Sequence, residues 1–127
     1  MLKGVGLDVV EIDRMSRILE GDSADRFLER VYTPEELAYC LGKARKVEHL
    51  AARLAAKEAV FKALGTGWSE GIGWKDVEVR HDQRGRPCVV LHGKALEIFG
   101  SSGGGEIFLS VSHTSRLAVA QAIWSSS

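Results

Sequence analysis

Cysteine is scarce in this sequence, and neither sign of charge predominates. Cys40 and Cys88 are the only two cysteines and lie far apart, so a disulfide framework is not indicated. No CxxC or Cys/His metal pattern is present, and Cys88 and His92 are interpreted as neighbours on a strand. Lys plus Arg and Asp plus Glu each total 17, which gives a formal net charge of zero. Because wrapping nucleic acid requires a basic surplus, this balance argues against a nucleic-acid partner, although it permits a local basic face.

Long apolar segments and targeting signals are also lacking. No apolar run approaches the roughly 20 residues that a membrane-spanning helix needs. The first residues show no basic region followed by an apolar region and a small-residue cleavage site. With 127 residues, of which 45% are hydrophobic and 27% charged, the composition is typical of a soluble globular protein. We therefore expect one domain over residues 1–127, no membrane association and a cytoplasmic location.

The hydrophobic spacing predicts an α+β domain, with about five mostly antiparallel strands packed against one long helix. Residues 2–10 alternate as a strand, with Val5, Leu7 and Val9 expected on the buried face and Asp8 on the other. The other predicted elements are a helix capped by Asp13 that ends near Gly21, a helix around 27–31, a capping box with a proline at 33–36, strands at 75–81 and 88–91 joined by a turn at 82–87, a helix at 94–99, a loop at 101–105, and a hairpin of strands 106–113 and 117–124.

The most strongly patterned segment is a helix over residues 46–64. Its apolar residues recur at steps of three and four, namely Val47, Leu50, Leu54, Phe61 and Leu64. Glu58 falls within this apolar stripe, where an unpaired carboxylate is costly and should meet a cation, a metal or a cavity. Lys62 follows one turn later, so an ordinary Glu–Lys pair worth about 0.2–0.5 kcal/mol is the alternative.

Asp8 strengthens the interpretation of Glu58 as a functional residue. A carboxylate in the first strand can converge with one on a helix packed against the sheet, although alone it would be interpreted as a solvated strand-end residue. Two carboxylates together with waters and phosphate oxygens suit Mg²⁺, which retains much of its hydration. A neighbouring lysine such as Lys62 is typical of a site that handles phosphate charge.

Three other features have both a functional and an ordinary interpretation. His113 ends a strand next to hydroxyl residues that can hold a phosphate, but alone it is interpreted as a turn or packing histidine. The glycines at 65–67 allow a ligand to approach the backbone, but they also simply end a helix. The basic residues at 43–53 and on the early helices form either a solvated face or a docking surface for an acidic partner.

Taken together, the motifs resemble those of the short 4′-phosphopantetheinyl transferases, the holo-[acyl-carrier-protein] synthase family. The resemblance is carried by GLD at residues 6–8, RLAAKEAVFKALGTG at 53–67, DQRGRP at 82–87 and SVSHT at 110–114. It extends over essentially the whole chain, and the joint spacing is far more specific than any single motif.

The resemblance implies a defined reaction and fold. The enzyme would transfer the phosphopantetheine arm of coenzyme A to a serine of an apo acyl carrier protein, as part of fatty acid biosynthesis, and release adenosine 3′,5′-bisphosphate. The reaction would depend on Mg²⁺. The family also implies a homotrimer with active sites between neighbouring subunits.

The resemblance also implies roles for individual residues. Asp8 and Glu58 would bind Mg²⁺, with a water in place of the third acidic ligand of larger relatives, and Glu58 and Lys62 would be catalytic. Glu58, or a metal-bound water that it orients, is our hypothesis for the base that accepts the serine proton. The residues implied in coenzyme A binding are Lys62, Gly65, Thr66, Gly85, Arg86, Pro87, Ser112 and His113. Those implied in carrier-protein binding are Arg14, Arg45 and Arg53.

Two competing functions remain open from the residues alone. One is a different Mg²⁺-dependent phosphate enzyme, such as a nucleotide hydrolase. The other is a non-catalytic nucleotide-binding module in which Glu58 and Lys62 form a structural pair.

Overall fold

The structure, a computed structural model, describes residues 1–65 and 71–126. Its strands are β1 (Leu2–Glu11), β2 (Val77–His81), β3 (Pro87–Leu91), β4 (Glu106–His113) and β5 (Leu117–Ser125). Its helices are α1 (Ile12–Glu20), α2 (Ala24–Val31), α3 (Pro34–Leu41), α4 (Lys46–Leu64) and α5 (Gly93–Ser101), with a 3₁₀ turn at Trp74–Asp76. The predicted α+β class is confirmed. No helix of the described residues is long and apolar enough to cross a membrane.

All the strand pairs are antiparallel, as predicted, but they form two sheets. β1, β5 and β4 make a three-stranded sheet in that order, and β2 pairs with β3. Helix α4 packs on both β1 and β5 and also contacts β2 and α3. Most of its side chains are buried, including Leu50, Leu54 and Phe61. The long helix is therefore the centre of the core, and the sheets and shorter helices surround it.

The predicted orientation of β1 is wrong. Val5, Leu7 and Val9, expected to be buried, are 49%, 55% and 51% exposed. The side of the strand that contains Gly6 and Asp8 faces α4 instead. The alternation of apolar and other residues correctly separated the two faces of β1, but the apolar face is the one that the rest of the chain leaves uncovered.

Several element ends differ from the predictions for local reasons. Asp13 is not the N-cap of α1, which begins at Ile12, because the Ile12 amide donates to the Arg116 carbonyl at 2.8 Å and the hairpin turn replaces a side-chain cap. The strand expected from Lys75 begins at Val77, since the preceding residues form the 3₁₀ turn. Ser101, assigned to a loop, is the last residue of α5.

The capping box at the start of α3 is confirmed. Thr33 Oγ1 accepts a hydrogen bond from the Glu36 amide at 3.2 Å, and Glu36 Oε1 accepts one from the Thr33 amide at 2.9 Å. Glu36 is only 1% exposed. This glutamate consequently enters the core, where it has a second partner on α4.

Candidate active site

Asp8 lies where β1 and α4 approach most closely. Gly4 and Gly6 precede it on the same face of the strand, and a Cβ atom on either residue would overlap the carbonyl group of Ala63 or Ala59. Because only glycine permits this distance, the two glycines bring the strand onto the helix surface. Asp8 is thereby held at the edge of the contact, with its side chain 12% exposed.

Lys62 joins the strand to the helix. Its Nζ atom donates to Asp8 Oδ1 at 3.1 Å and to the Leu7 carbonyl oxygen at 2.9 Å, while its side chain remains 55% exposed. No ion pair within 4 Å connects Lys62 with Glu58 in the described residues. The structure therefore replaces the ordinary intrahelical pair with a contact between β1 and α4.

Glu58 completes a cluster with Asp8 and Lys62. Burial raises the pKa of Glu58 above its ordinary value, and the neighbouring carboxyl group of Asp8 raises it further, whereas Lys62 and Arg14 oppose the rise. The site thus has a surplus of negative charge that a proton or a cation relieves.

This donor set fits Mg²⁺. Within residues 1–65 and 71–126 there is no group of three His, Cys, Asp or Glu side chains that could hold a metal. Two hard oxygen ligands suit Mg²⁺, which keeps several waters and takes phosphate oxygens from its substrate. The crowding of Asp8 and Glu58 favours such an ion at their position.

A cavity of about 220 Å³ lies on another side of α4. Its lining includes three residues of the predicted coenzyme A set, Gly85, Pro87 and His113. His113 Nδ1 is 3.2 Å from Glu48 Oε2, at the end of β4. The structure therefore brings the turn between β2 and β3 together with the end of β4, as the predicted nucleotide site requires.

Arg53 also lines this cavity and is only 5% exposed, although it was expected at a docking surface. Its Cζ atom lies 4.2 Å from the centre of the Tyr39 ring, and its Nη2 atom lies 3.3 Å from His81 Nδ1. Its Nε atom is buried without a hydrogen-bond partner in the described residues. A fully charged, incompletely paired guanidinium at a cavity wall suits an anionic ligand.

The other predicted residues are more dispersed. Ser112 is exposed and pairs with Val119 on the face of the sheet opposite to His113, so the two do not form one site within the chain. Gly65 ends α4 with a φ of 78°, and Thr66 lies outside the described residues. Arg86 is exposed on the turn, where its Nε atom is 3.5 Å from Asp82 Oδ2.

The predicted docking residues Arg14 and Arg45 are both exposed. The Arg45 side chain is 75% exposed and lies 3.7 Å from Glu48. They remain available to a partner, unlike Arg53.

The carboxylate cluster and the cavity occupy different faces of α4. At about 100° per residue, Glu58 and Lys62 are turned from Arg53 by roughly 140° and 180° around the helix axis. His49, Ala52 and Ala56 line the cavity together with Arg53. A single chain therefore presents the two halves of the predicted site in different directions.

Sequence reasoning missed several residues, of which Lys57 is the most deeply buried. Its side chain is completely buried, and Nζ lies 2.8 Å from Glu36 Oε1 while donating to the carbonyl groups of Trp74 and Val77. The sequence contained one signal for this buried position: the helix is apolar on nearly all sides, and Lys57 lies in the middle of it. Tyr39, His49 and His81 carried no comparable signal because the cavity joins segments distant in sequence.

Comparison with known proteins identifies the family. The sequence model described as the 4′-phosphopantetheinyl transferase superfamily matches residues 4–120. The chain is 49% identical to the holo-[acyl-carrier-protein] synthase of Koribacter versatilis and 45% identical to that of Geotalea daltonii, each over 97% of this chain and 98% of the relative.

Comparison with solved structures leads to the same family. The holo-[acyl-carrier-protein] synthase of Neisseria meningitidis has a TM-score of 0.87 and 32% identity, over 97% of this chain and 98% of that one. The Bacillus anthracis enzyme, in complex with CoA (3′,5′-ADP), has a TM-score of 0.80 and 36% identity, over 100% and 99% of the two chains. This chain belongs to the 4′-phosphopantetheinyl transferase superfamily, as its motifs predicted.

Proposed function

We propose that this chain, acting as one domain over residues 1–127, transfers 4′-phosphopantetheine from coenzyme A to a serine of an apo acyl carrier protein in the cytoplasm, for fatty acid biosynthesis. The observation that carries this proposal is the convergence of Asp8, Glu58 and Lys62 where β1 meets α4. The family and the relatives named holo-[acyl-carrier-protein] synthase support it.

Asp8 and Glu58 are the residues proposed to hold Mg²⁺, because they crowd two carboxyl groups at one place. When bound, the ion supplies positive charge that polarises the pyrophosphate of coenzyme A. Lys62 already places its ammonium beside Asp8 and is exposed on its other side. There it neutralises charge on the pyrophosphate and on the departing bisphosphate, which is most of what a phosphoryl-type displacement requires.

Glu58 is proposed as the base. The Oε atoms of its carboxylate would accept the proton of the serine hydroxyl, either directly or through a water that they orient. Glu58→Gln at saturating Mg²⁺ should lower kcat by about 10²–10⁴-fold. The same substitution at Glu97, an exposed residue of α5, is the control. Full turnover by Glu58→Gln would show that another group accepts the proton.

The cavity is proposed to take the nucleotide end of coenzyme A. Arg53 and His113 offer cationic or hydrogen-bonding groups, and Gly85 and Pro87 also line the cavity. The exposed Arg86 lies between Gly85 and Pro87 in the sequence. The bound nucleotide of the Bacillus anthracis relative supports this use of the fold.

A homotrimer with sites between subunits would unite the two halves. The carboxylate cluster and the cavity lie on different faces of α4, so a neighbouring chain can supply the half that one chain directs elsewhere. The uncovered apolar face of β1 supports such an assembly, since large exposed apolar patches mark interfaces. Mixed trimers of Lys62→Met and His113→Asn chains should then regain activity, because some interfaces contain both native residues. Mixtures no more active than the separate variants would count against shared sites.

Arg14 and Arg45 are proposed to face the acidic carrier protein. Alanine at either position should raise the KM for the carrier protein and leave that for coenzyme A nearly unchanged. Added salt should have the same selective effect, since charge steering is screened. Equal sensitivity of both KM values would contradict docking through these arginines.

One experiment separates the proposal from its competitors. The protein is mixed with coenzyme A, Mg²⁺ and an apo carrier protein from the same source, and mass spectrometry detects the phosphopantetheine adduct. We expect an adduct with the native chain and with Lys94→Met, an exposed control lysine, and strongly reduced transfer with Lys62→Met. Turnover of coenzyme A without carrier would indicate a hydrolase. Metal-independent binding without turnover would indicate a binding module.

A further inference from the structure

Histidines are concentrated in the cavity. The chain has four, and His49, His81 and His113 all line this one space, whereas His92 does not. Tyr39 stands among them, with its ring stacked on His81 at 4.8 Å between centres and 27° between planes, and edge-on to His49 at 5.7 Å. An imidazole is the side chain that most readily changes charge near neutral pH, so this cavity concentrates groups that can bind a proton.

The contact between Arg53 and His81 determines which nitrogen of the His81 ring carries a proton. Arg53 Nη2 lies 3.3 Å from His81 Nδ1. A guanidinium can only donate hydrogen bonds and keeps its proton under all ordinary conditions, so His81 Nδ1 must accept. His81 is therefore neutral, with its proton on Nε2. Adding a proton to Nδ1 would set two N–H groups against each other and break the contact.

The charges around His81 and His49 agree with a neutral state of both rings. Burial lowers the pKa of His81, and the positive charge of Arg53, then His49 and Lys43, lowers it further, against the opposite influence of Asp82. Burial likewise lowers the pKa of His49, assisted by His113, Arg53 and Lys43 and opposed by Glu48. Lys43 also lies 4.6 Å from the Tyr39 ring centre. The cations Arg53 and Lys43 act on both rings, each of which has one opposing acid, so a bound phosphate would favour the protonated imidazole.

We propose that Arg53 and His81 together form an anion receptor that takes up a proton when its ligand binds. In the free protein, His81 accepts a hydrogen bond from Arg53. A phosphate group that enters the cavity accepts this hydrogen bond instead, and His81 then takes up a proton from solvent. The released imidazole becomes a second cationic donor to the same phosphate. His81 stands at the exposed side of the cavity, so solvent can deliver the proton. The buried Nε of Arg53, unpartnered in the described residues, is a further donor for the anion.

This inference rests on the proposed use of the cavity for the bisphosphate end of coenzyme A, and it adds a pH dependence to that binding. By linkage, an affinity coupled to one proton rises up to about tenfold for each unit that pH falls between the imidazole pKa of the bound and the empty states. Above this range His81 stays neutral in the complex, so binding should be weaker and should no longer depend on this proton. At saturating coenzyme A the kcat is unaffected by this coupling.

The test is calorimetric titration of the full-length protein with adenosine 3′,5′-bisphosphate, at one pH near neutrality, in buffers of different ionisation enthalpy. The native chain should take up about one proton per ligand bound. His81→Asn keeps an acceptor oxygen for Arg53 but cannot titrate, so it should bind with much less uptake. His92→Gln, at the histidine outside the cavity, should retain the native value. No uptake by the native chain, or equal uptake by His81→Asn, would overturn the inference.

Nitrogen-15 NMR spectra of the histidine rings give an independent measurement on the native protein, which does not depend on the folding of a variant. Free protein should show His81 protonated at Nε2 only, and saturated protein should show both ring nitrogens protonated. An unchanged neutral ring at saturation would reject the mechanism. Transfer to the carrier protein, measured on the same preparation, distinguishes the failures. If phosphopantetheine is transferred but no proton is taken up on ligand binding, only this inference is contradicted. If no phosphopantetheine is transferred, the proposed function itself is contradicted.

Discussion

Lys57 of α4 and Glu36 of α3 form an ion pair of 2.8 Å in which neither side chain has any exposed surface. Burial lowers the pKa of Lys57, and the charge and hydrogen bond of Glu36 oppose that effect. Glu36 also accepts hydrogen bonds from the amides of Thr33 and Val79. The pair thus ties α3, α4 and β2 together, and Lys57 immediately precedes Glu58, the residue proposed to act as base, in the sequence.

Removing one partner of this pair should be strongly destabilising. Lys57→Met leaves the Glu36 carboxylate buried without its cation, which should lower the free energy of unfolding by about 3–5 kcal/mol in urea denaturation. Lys43→Met, at an exposed lysine, is the control and should change it little. The double variant Lys57→Met/Glu36→Leu should recover part of the loss because no charge is left buried. A loss no larger than that of the control would show that the pair contributes little.

The close approach of β1 to α4 gives a second prediction, in which the same substitution has opposite effects at two sites. Gly6→Ala places a Cβ atom against the Ala59 carbonyl group, so it should destabilise the fold by about 1–3 kcal/mol and displace Asp8 from Lys62. Gly100→Ala lies in α5, where the described part of the chain places no atom within 4 Å of the added Cβ, so it should be neutral or stabilising by up to about 1 kcal/mol. Thermal unfolding and transfer activity measure both. Similar behaviour of the two variants would contradict the proposed role of Gly6.

Glu78 makes the protein sensitive to acid. Burial alone would raise its pKa, but hydrogen bonds from His92, Arg80 and Thr33 more than offset this and hold the pKa below its ordinary value of 4.5. A depressed carboxyl pKa gives stability that is fully present above the ordinary value and is lost as pH falls through the lower, folded-state value. Unfolding free energies should therefore decline below about pH 5, and Glu78→Gln should be less stable at pH 7 with a shallower decline. If the free energy of unfolding of Glu78→Gln declined with falling pH as steeply as that of the native protein, other groups would be responsible for the sensitivity to acid.

The sequence was sufficient for most of the elements, since these depend on local pattern, and the family resemblance supplied the pairing of Asp8 with Glu58. Helix α4 was predicted with its observed ends, and Glu58 stood out because a charge interrupted an apolar series. Contacts between distant segments were not predictable in this way. The buried position of Lys57 depends on Glu36 and on the turn at Trp74–Asp76, and the stack of Tyr39 on His81 joins α3 to β2. No periodicity encodes such pairs.

The error on β1 has a different cause. Alternation shows which residues share a face but not which face is covered, and in an isolated chain an apolar face is normally the buried one. Here α4 covers the glycine side, and Val5, Leu7 and Val9 remain exposed. In the proposed trimer another chain would cover these residues, and the same sequence pattern would then be satisfied.

That assembly leads to the last prediction, which uses two apolar residues of nearly equal exposure. Phe108 is 53% exposed and forms a row across the sheet with Ile123 and Val5, whereas Leu96 on α5 is 51% exposed and lies outside this row. A charge at an apolar interface is left unpaired and desolvated, so Phe108→Glu should break the proposed trimer into smaller species. The same substitution at Leu96 should leave its mass unchanged in light scattering. Circular dichroism should show a retained fold in both, and transfer activity should fall only for Phe108→Glu, because its chains no longer complete one another's sites. An intact trimer of Phe108→Glu would place the interface on another surface.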